Sequence, residues 1–257
     1  YVPVAYIKTG NAASISLEQI DLIHRMAARY PETFEIARTA EDVYRIRKSG
    51  KIASLIGIEG GHTIDNSLSV LRMYFQLGVR YLTLTHSDTL DWADSATDTS
   101  RHSGLSELGE DIVREMNRLG MLVDISHVSV ETMRDALRVS IAPIIASHSS
   151  AAAIADHPRN IPDDVLRGIS ANGGVVMVNF FSGFVVPESA KVMRDMFDVE
   201  RGFREKFPDQ QQRVQAQNEW KRLNPMKAGT VAHVLDHIDH IVRIAGIDHV
   251  GIGGDYD

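Results

Sequence analysis

The chain contains no cysteine. That excludes a disulfide framework and any thiolate metal site, so a bound metal would have to be held by His, Asp and Glu. No dense run of Lys and Arg occurs, and 27 Lys+Arg stand against 34 Asp+Glu for a net charge of −7. The electrostatic footprint of a nucleic-acid binder is therefore missing, and the expected partner is a small molecule. There is no stretch of about 18 apolar residues and no signal-like amino terminus, so nothing reads as spanning a membrane. The sequence opens on Tyr1 rather than Met and closes on Gly254-Asp255-Tyr256-Asp257. Both ends read as cut, and the compartment stays open between export, the cell envelope and the cytoplasm.

What is present is an ordinary globular composition. With 44% hydrophobic and 24% charged residues over 257 positions, the chain is long enough for one α/β barrel or two small domains. Ser16 and Gln19 stand at capping-box spacing ahead of Ile20, Ile23 and Met26, which predicts an amphipathic helix ending near Tyr30-Pro31. A short β-type run, Phe34 to Ala37, leads to a helix from Thr39 to Ser49 closed by Gly50. From there strands and helices alternate regularly. Strand runs cover Ile52–Ile58, Tyr81–Thr85, Met121–Ser126, Pro143–Ser147, Val175–Val178 and Val250–Gly254. Helical patterns follow through Leu68 to Phe75, Leu105 to Leu119, Val130 to Val139, Asp163 to Ala171 with Pro162 in its first turn, and Val231 to Ala245. A polar insertion occupies about 184–226.

Counting Phe34–Ala37, there are seven strands, each but the last followed by a helix. Repeated βα units with right-handed crossovers make a parallel sheet, and a run this long favours closure into a (β/α)8 TIM-type barrel. Residues 1–257 thus read as a single catalytic barrel domain. The first strand and the segment after the last are expected to lie outside the sequence.

Residues that close parallel strands collect at one rim, where α/β enzymes keep their chemistry. The closing residues are Glu59, His86, His127, His148, Asn179 and Asp255. Three histidines and two carboxylates among them are the nitrogen and oxygen donors that bind divalent zinc in hydrolases. The pair Gly60-Gly61 after Glu59 allows close approach to an ion or substrate.

Six stretches then carry a resemblance. They are Gly57-Ile58-Glu59-Gly60-Gly61-His62, Tyr81-Leu82-Thr83-Leu84-Thr85-His86, Asp124-Ile125-Ser126-His127-Val128-Ser129, Ser147-His148-Ser149-Ser150, Arg159-Asn160-Ile161-Pro162-Asp163-Asp164-Val165-Leu166 and Gly251-Ile252-Gly253-Gly254-Asp255-Tyr256-Asp257. In order and spacing, from about Leu17 onward, the chain resembles the membrane (renal-type) dipeptidases of the amidohydrolase barrel superfamily. The resemblance implies a zinc-dependent hydrolase of dipeptides, often tolerant of a D-residue at the carboxyl-terminal position. It makes Glu59 the carboxylate that bridges two zinc ions, with His127 and His148 completing the second. It makes His86 the histidine that contacts substrate and steadies the tetrahedral intermediate, Arg159 the receiver of the dipeptide's free carboxylate, and Asp255 the acid/base, with Asp257 as its competitor. The family's first zinc also uses a His-x-Asp pair on the first strand, which has no counterpart before Glu59. Two zinc ions per full-length chain, a dipeptide substrate and a homodimer are the corresponding expectations for cofactor and partners.

Other readings compete. Arg159 could form a surface ion pair with Asp163 or Asp164. His233, His237 and His240 have helical ligand spacing, yet Leu235, Ile238, Ile241 and Val242 place them on the solvent flank of an amphipathic helix. His62 is expected to order its loop by hydrogen bonding. Asp88, Asp91, Asp94 and Asp98 lack the pattern of a calcium loop and are expected at the mouth of a pocket. The insertion reads equally as a lid or as a solvated helical excursion. The same ligands could serve another amide, lactam or ester, or belong to an inactive barrel that only binds.

Overall fold

The Val-, Ile- and Leu-rich runs become parallel strands in the computed structural model, which describes residues 1–255 except the side chains at 204 and 205. The chain divides into two units, Tyr1–Ile144 and Ile145–Asp257.

The first unit contains α1 (Ala12–Arg29), β1 (Phe34–Ile36), α2 (Ala40–Lys48), β2 (Ile52–Ser54), β3 (Ile56–Glu59), α3 (Leu68–Gln76), β4 (Val79–Thr83), α4 (Glu107–Leu119), β5 (Leu122–Asp124) and α5 (Val130–Val139). Strands β3, β4 and β5 form a parallel ladder in which Glu59 stands opposite Thr83 and Thr83 opposite Asp124. Helices start where the sequence offers a side-chain acceptor to the unpaired amides of the first turn. Thr39 accepts from Asp42 and closes a capping box at α2, while Ser67, Ser106 and Ser129 cap α3, α4 and α5. Leu71, Ile112, Val113, Met116 and Met133 of these helices and Ile56, Leu82 and Val123 of the strands are all essentially solvent-free.

Two expectations fail in this unit. The run Ile52–Ile58 is two strands rather than one, broken at half-exposed Leu55. β2 pairs with β1 in a separate two-stranded sheet, so Phe34–Ile36 does not join the β3–β5 ladder. The capping box at Ser16 is also absent. α1 begins four residues earlier, and Ser16 lies inside it with its hydroxyl donating to the Ala12 carbonyl at 3.0 Å, while Gln19 reaches the Tyr1 carbonyl at 2.9 Å. A Ser-x-x-Gln pattern does not fix a helix start when the preceding Asn11-Ala12-Ala13 already favours helix.

The second unit contains β6 (Ile145–Ala146), α6 (Asp163–Asn172), β7 (Val175–Val178), α7 (Ser182–Val185), α8 (Pro187–Lys206), α9 (Gln210–Leu223), α10 (Val231–Ala245) and β8 (Val250–Ile252). Its ladder is β6–β7–β8, again parallel. Pro162 is the residue before α6 rather than within its first turn. The polar insertion is helical, comprising α8 and α9. The helix through the three clustered histidines forms as expected, but its histidines do not share a solvent flank. His237 is wholly buried: its Nδ1 accepts from the Ala151 amide at 2.9 Å and its Nε2 faces the Val185 carbonyl at 3.1 Å. His240 sits 2.7 Å from the Asp163 carboxylate, and His233 completes the cap at Thr230. All three are absorbed by structure. Among the described residues no helix is long and apolar enough to cross a membrane.

Candidate active site

In the first unit three predicted residues converge. Glu59 ends β3, and its Oε1 lies 3.0 Å from Nε2 of His127. The His127 ring stacks on that of His86, with centroids 4.2 Å apart and planes 25° apart. One ligand atom from each of Glu59, His86 and His127 falls within 4.8 Å of the others. Neither histidine is the last residue of its strand. β4 stops at Thr83 and β5 at Asp124, and each histidine lies three residues beyond, in the loop over the ladder's carboxyl edge.

That loop is held by buried polar groups. The Thr83 hydroxyl donates to Asp124 Oδ2 at 2.6 Å, and the Ser126 amide donates to Asp124 Oδ1 at 3.0 Å. The His127 carbonyl accepts from the Ala96 amide at 2.8 Å and from the Thr85 hydroxyl at 3.1 Å. These bonds hold His127 at φ +69°, a left-handed conformation uncommon outside glycine. Gly61, two residues after Glu59, is required by space. A methyl group there would stand 2.6 Å from the Leu84 carbonyl oxygen and 2.3 Å from the buried Trp92 ring.

Several residues do other work. Asp94 does not line the cavity that Asp88, Asp91 and Asp98 border. It is buried, and its carboxylate accepts from the Ser100 hydroxyl and the amides of Arg101, His102 and Gly104, which together hold its pKa below the usual carboxylate range against the opposing effect of burial. Asp88, Asp91 and Asp98 line a cavity of about 320 Å³ with Lys8, His62 and Arg101, but Glu59, His86 and His127 do not border it. His62 bonds the Val2 carbonyl at 2.9 Å and so orders the amino-terminal segment. Sequence reasoning had no signal for Tyr1, whose ring lies tilted against His86 with centroids 4.2 Å apart and whose phenol pKa is pushed up, chiefly by burial. Nor did it single out Asp124 as a support of the His127 loop, or Asp94 as the acceptor that holds residues 100–104.

In the second unit His148 follows β6, 6% exposed, with its Nδ1 2.8 Å from the Ser147 hydroxyl. For Nε2 to act as a metal ligand, Nδ1 must carry the proton and donate to Ser147, the arrangement that fixes a ligating imidazole. Arg159 is 2% exposed, so it is no surface group. Its guanidinium lies 5.3 Å from the Phe184 ring centroid, and Nη2 reaches the His148 carbonyl at 3.4 Å. Asp163, one of its candidate ion-pair partners, is engaged by His240. Asp255 follows β8 at φ +54° and is exposed. Ahead of it, Gly253 approaches the Ser147 carbonyl so closely that a methyl group would stand 1.9 Å from the oxygen. Asn179, at the end of β7, is buried and accepts from the Phe181 amide at 2.5 Å. Asp257 lies outside the described residues.

The donors in the first unit are one carboxylate oxygen and imidazole nitrogens at a partly open rim, a set that suits a divalent cation such as zinc. The model of the Membrane dipeptidase family (Peptidase family M19) matches residues 1–257. The chain belongs to this family. Its fold class is accordingly the family's α/β barrel of the TIM type, as the alternation of strands and helices predicts. The family chain is 42% identical to Dipeptidase verJ of Clonostachys rogersoniana over 243 residues, covering 94% of this chain and 53% of that protein. It spans about half the length of the curated relatives it matches. Among solved structures, the probable dipeptidase PvdM from Pseudomonas aeruginosa superposes with a TM-score of 0.84 at 26% identity, covering 100% of this chain and 70% of that one. A metallopeptidase from Rhodobacter sphaeroides, crystallised with a phosphinate mimic of the dipeptide L-Ala-D-Ala, superposes at 0.73 and 26% identity, covering 95% of this chain and 60% of that one.

Buried imidazoles give this dipeptidase-family chain a predictable response to acid. Burial, reinforced by the positive charges of Arg159 and Arg194, lowers the pKa of His157 from 6.5 to about 3, with Asp156 opposing. Burial likewise lowers His237. Below 6.5 the unfolded chain binds protons that the folded chain refuses, so stability falls as pH drops from there toward about 3. His157 alone should cost roughly 2 kcal/mol between about pH 7 and about pH 5. Urea unfolding at the two pH values checks this. In His157→Gln, which has no titrating ring, the loss should shrink by that amount, and an unchanged loss would mean that His157 is not held neutral.

Proposed function

We propose that the protein is a zinc-dependent dipeptidase that cleaves dipeptides bearing a free carboxyl terminus and tolerates a D-residue at that end. The observation carrying this reading is the cluster of Glu59, His86 and His127, supported by family membership across the chain. The solved relative bound to an L-Ala-D-Ala mimic supports the substrate class. Glu59, His127 and His148 are assigned as zinc ligands, with two ions per full-length chain and residues 1–257 serving as one catalytic domain. When bound, the cation supplies Lewis-acid polarisation of the scissile carbonyl and a water of lowered pKa.

The chain's own side chains supply the rest. Asp255, exposed beyond β8, accepts the proton of the attacking water and returns it to the leaving amine. His86, its ring in contact with those of Tyr1 and His127, donates to the oxygen on which charge develops. Arg159 receives the substrate carboxylate with a planar fork, so that only short substrates with a free terminus are well bound. The test uses full-length protein loaded with zinc and a small panel of dipeptides, including D-residues at the second position, each as free acid and as C-terminal amide. Free acids should be strongly preferred. Equal hydrolysis of acids and amides would overturn the substrate assignment, and elemental analysis without zinc would overturn the cofactor.

A further inference from the structure

We propose that His157 is a positioning residue for Arg159, and that the polar insertion holds it in place. The proposal rests on the reading of Arg159 as the carboxylate receptor and adds what fixes that arginine. The Arg159 amide donates to Nδ1 of His157 at 3.1 Å, a bond that spans two residues and sets the backbone through the intervening Pro158. A proline fixes one of the two torsions available there, so this bond constrains most of what remains.

Beyond the backbone, His157 and the Arg159 guanidinium share one wall. Phe184 of α7 lies 4.8 Å from the imidazole and 5.3 Å from the guanidinium carbon. Phe197 of α8 flanks the imidazole at 5.8 Å. Arg194, also on α8, donates to the Asp156 carbonyl at 2.9 Å and pairs with its carboxylate. From the other end, Asn160 donates to the carbonyls of Ala155 and Phe184, both at 2.8 Å. The first helix of the insertion is thus bound to the segment that carries Arg159, and it is not a solvated excursion.

The choice of histidine is itself informative. His157 is 2% exposed, and its Nε2 has no hydrogen-bond partner among the described residues. Leucine or phenylalanine would fill such a space without burying an unpaired polar atom, which is unfavourable. What an apolar residue lacks is the acceptor at Nδ1. The ring is held neutral well below neutral pH, so its lone pair remains available to the Arg159 amide.

Three variants of the full-length, zinc-loaded enzyme separate these roles. His157→Leu removes the acceptor and keeps apolar bulk; His157→Asn keeps an oxygen acceptor near the Nδ1 position; His157→Gln is polar but carries its amide near Nε2. KM and kcat are measured for one dipeptide and for its C-terminal amide. Expected is an increase of about 10-fold in KM for the free acid in the Leu and Gln variants, with kcat within about twofold, little change on the amide, and recovery in the Asn variant. Equal losses on acid and amide, or an Asn variant no better than Gln, would assign His157 to packing alone and overturn the proposal. If the Leu variant does not fold, the Asn and Gln pair still decides. Should the wild type treat acid and amide alike, the Arg159 reading itself fails. If the wild type discriminates and the Gln variant does so equally, only the role of His157 fails.

Discussion

Replacing His127 by Ala is expected to remove bound zinc and to lower kcat/KM by at least about 10³-fold, while the protein stays folded. The imidazole faces Glu59 at 3.0 Å and stacks on His86, so its loss removes a nitrogen donor and unfixes the neighbouring ring. Polarisation of the carbonyl and acidification of water are together worth several kcal/mol in a metal site, and each 1.36 kcal/mol is tenfold in rate. The side chain lies outside the apolar core, and the bonds that hold its loop are made by its backbone carbonyl, which alanine retains. Elemental analysis, circular dichroism and turnover on one dipeptide form the test. A variant with wild-type zinc and turnover would remove His127 from the site.

The Arg159→Ala variant should lose roughly 2–4 kcal/mol of transition-state stabilisation for dipeptides, which is about 30- to 1,000-fold in kcat/KM. Burial makes the effect large. A guanidinium 2% exposed and set against an aromatic face meets a carboxylate with little competition from water. The loss should vanish for C-terminal amides, which lack the charge, and Arg159→Lys should restore only part of the activity, because a point charge cannot reproduce two parallel hydrogen bonds. Equal losses on acid and amide would assign Arg159 a structural role.

How much of this could be read beforehand depended on whether the signal was local. The start of α2 after Thr39 and the left-handed Gly50 beyond its end act within one helical turn, and that helix formed as expected. The rim residues were legible because the apolar runs of parallel strands stop near the sheet edge, which put Glu59 at the end of β3 and His86 and His127 three residues past β4 and β5, where they come together. Partner exchange was not legible. Nothing in Ile52-Ala53-Ser54-Leu55-Ile56 announces that its first half pairs with β1 and its second with β4. Burial of His237 likewise depends on Ala151 and Val185, both more than 50 positions away, and no periodicity within α10 encodes a ring that satisfies distant backbone groups. The wall around Arg159 was hidden for the same reason, since Phe184 and Phe197 lie inside a stretch whose composition reads as solvent-facing.

The left-handed backbone of His127 also bears on how this protein changes over generations. A non-glycine residue held there costs on the order of 1 kcal/mol, a cost that the bonds to its carbonyl must offset. Gly or Asn would sit at that position more comfortably and raise stability, while removing the imidazole that the proposed function assigns to zinc. In a lineage released from selection for the proposed activity, drift at position 127 should therefore run toward those two residues early, because the change is favoured by folding itself. Descendants that keep histidine there are keeping it against that gradient.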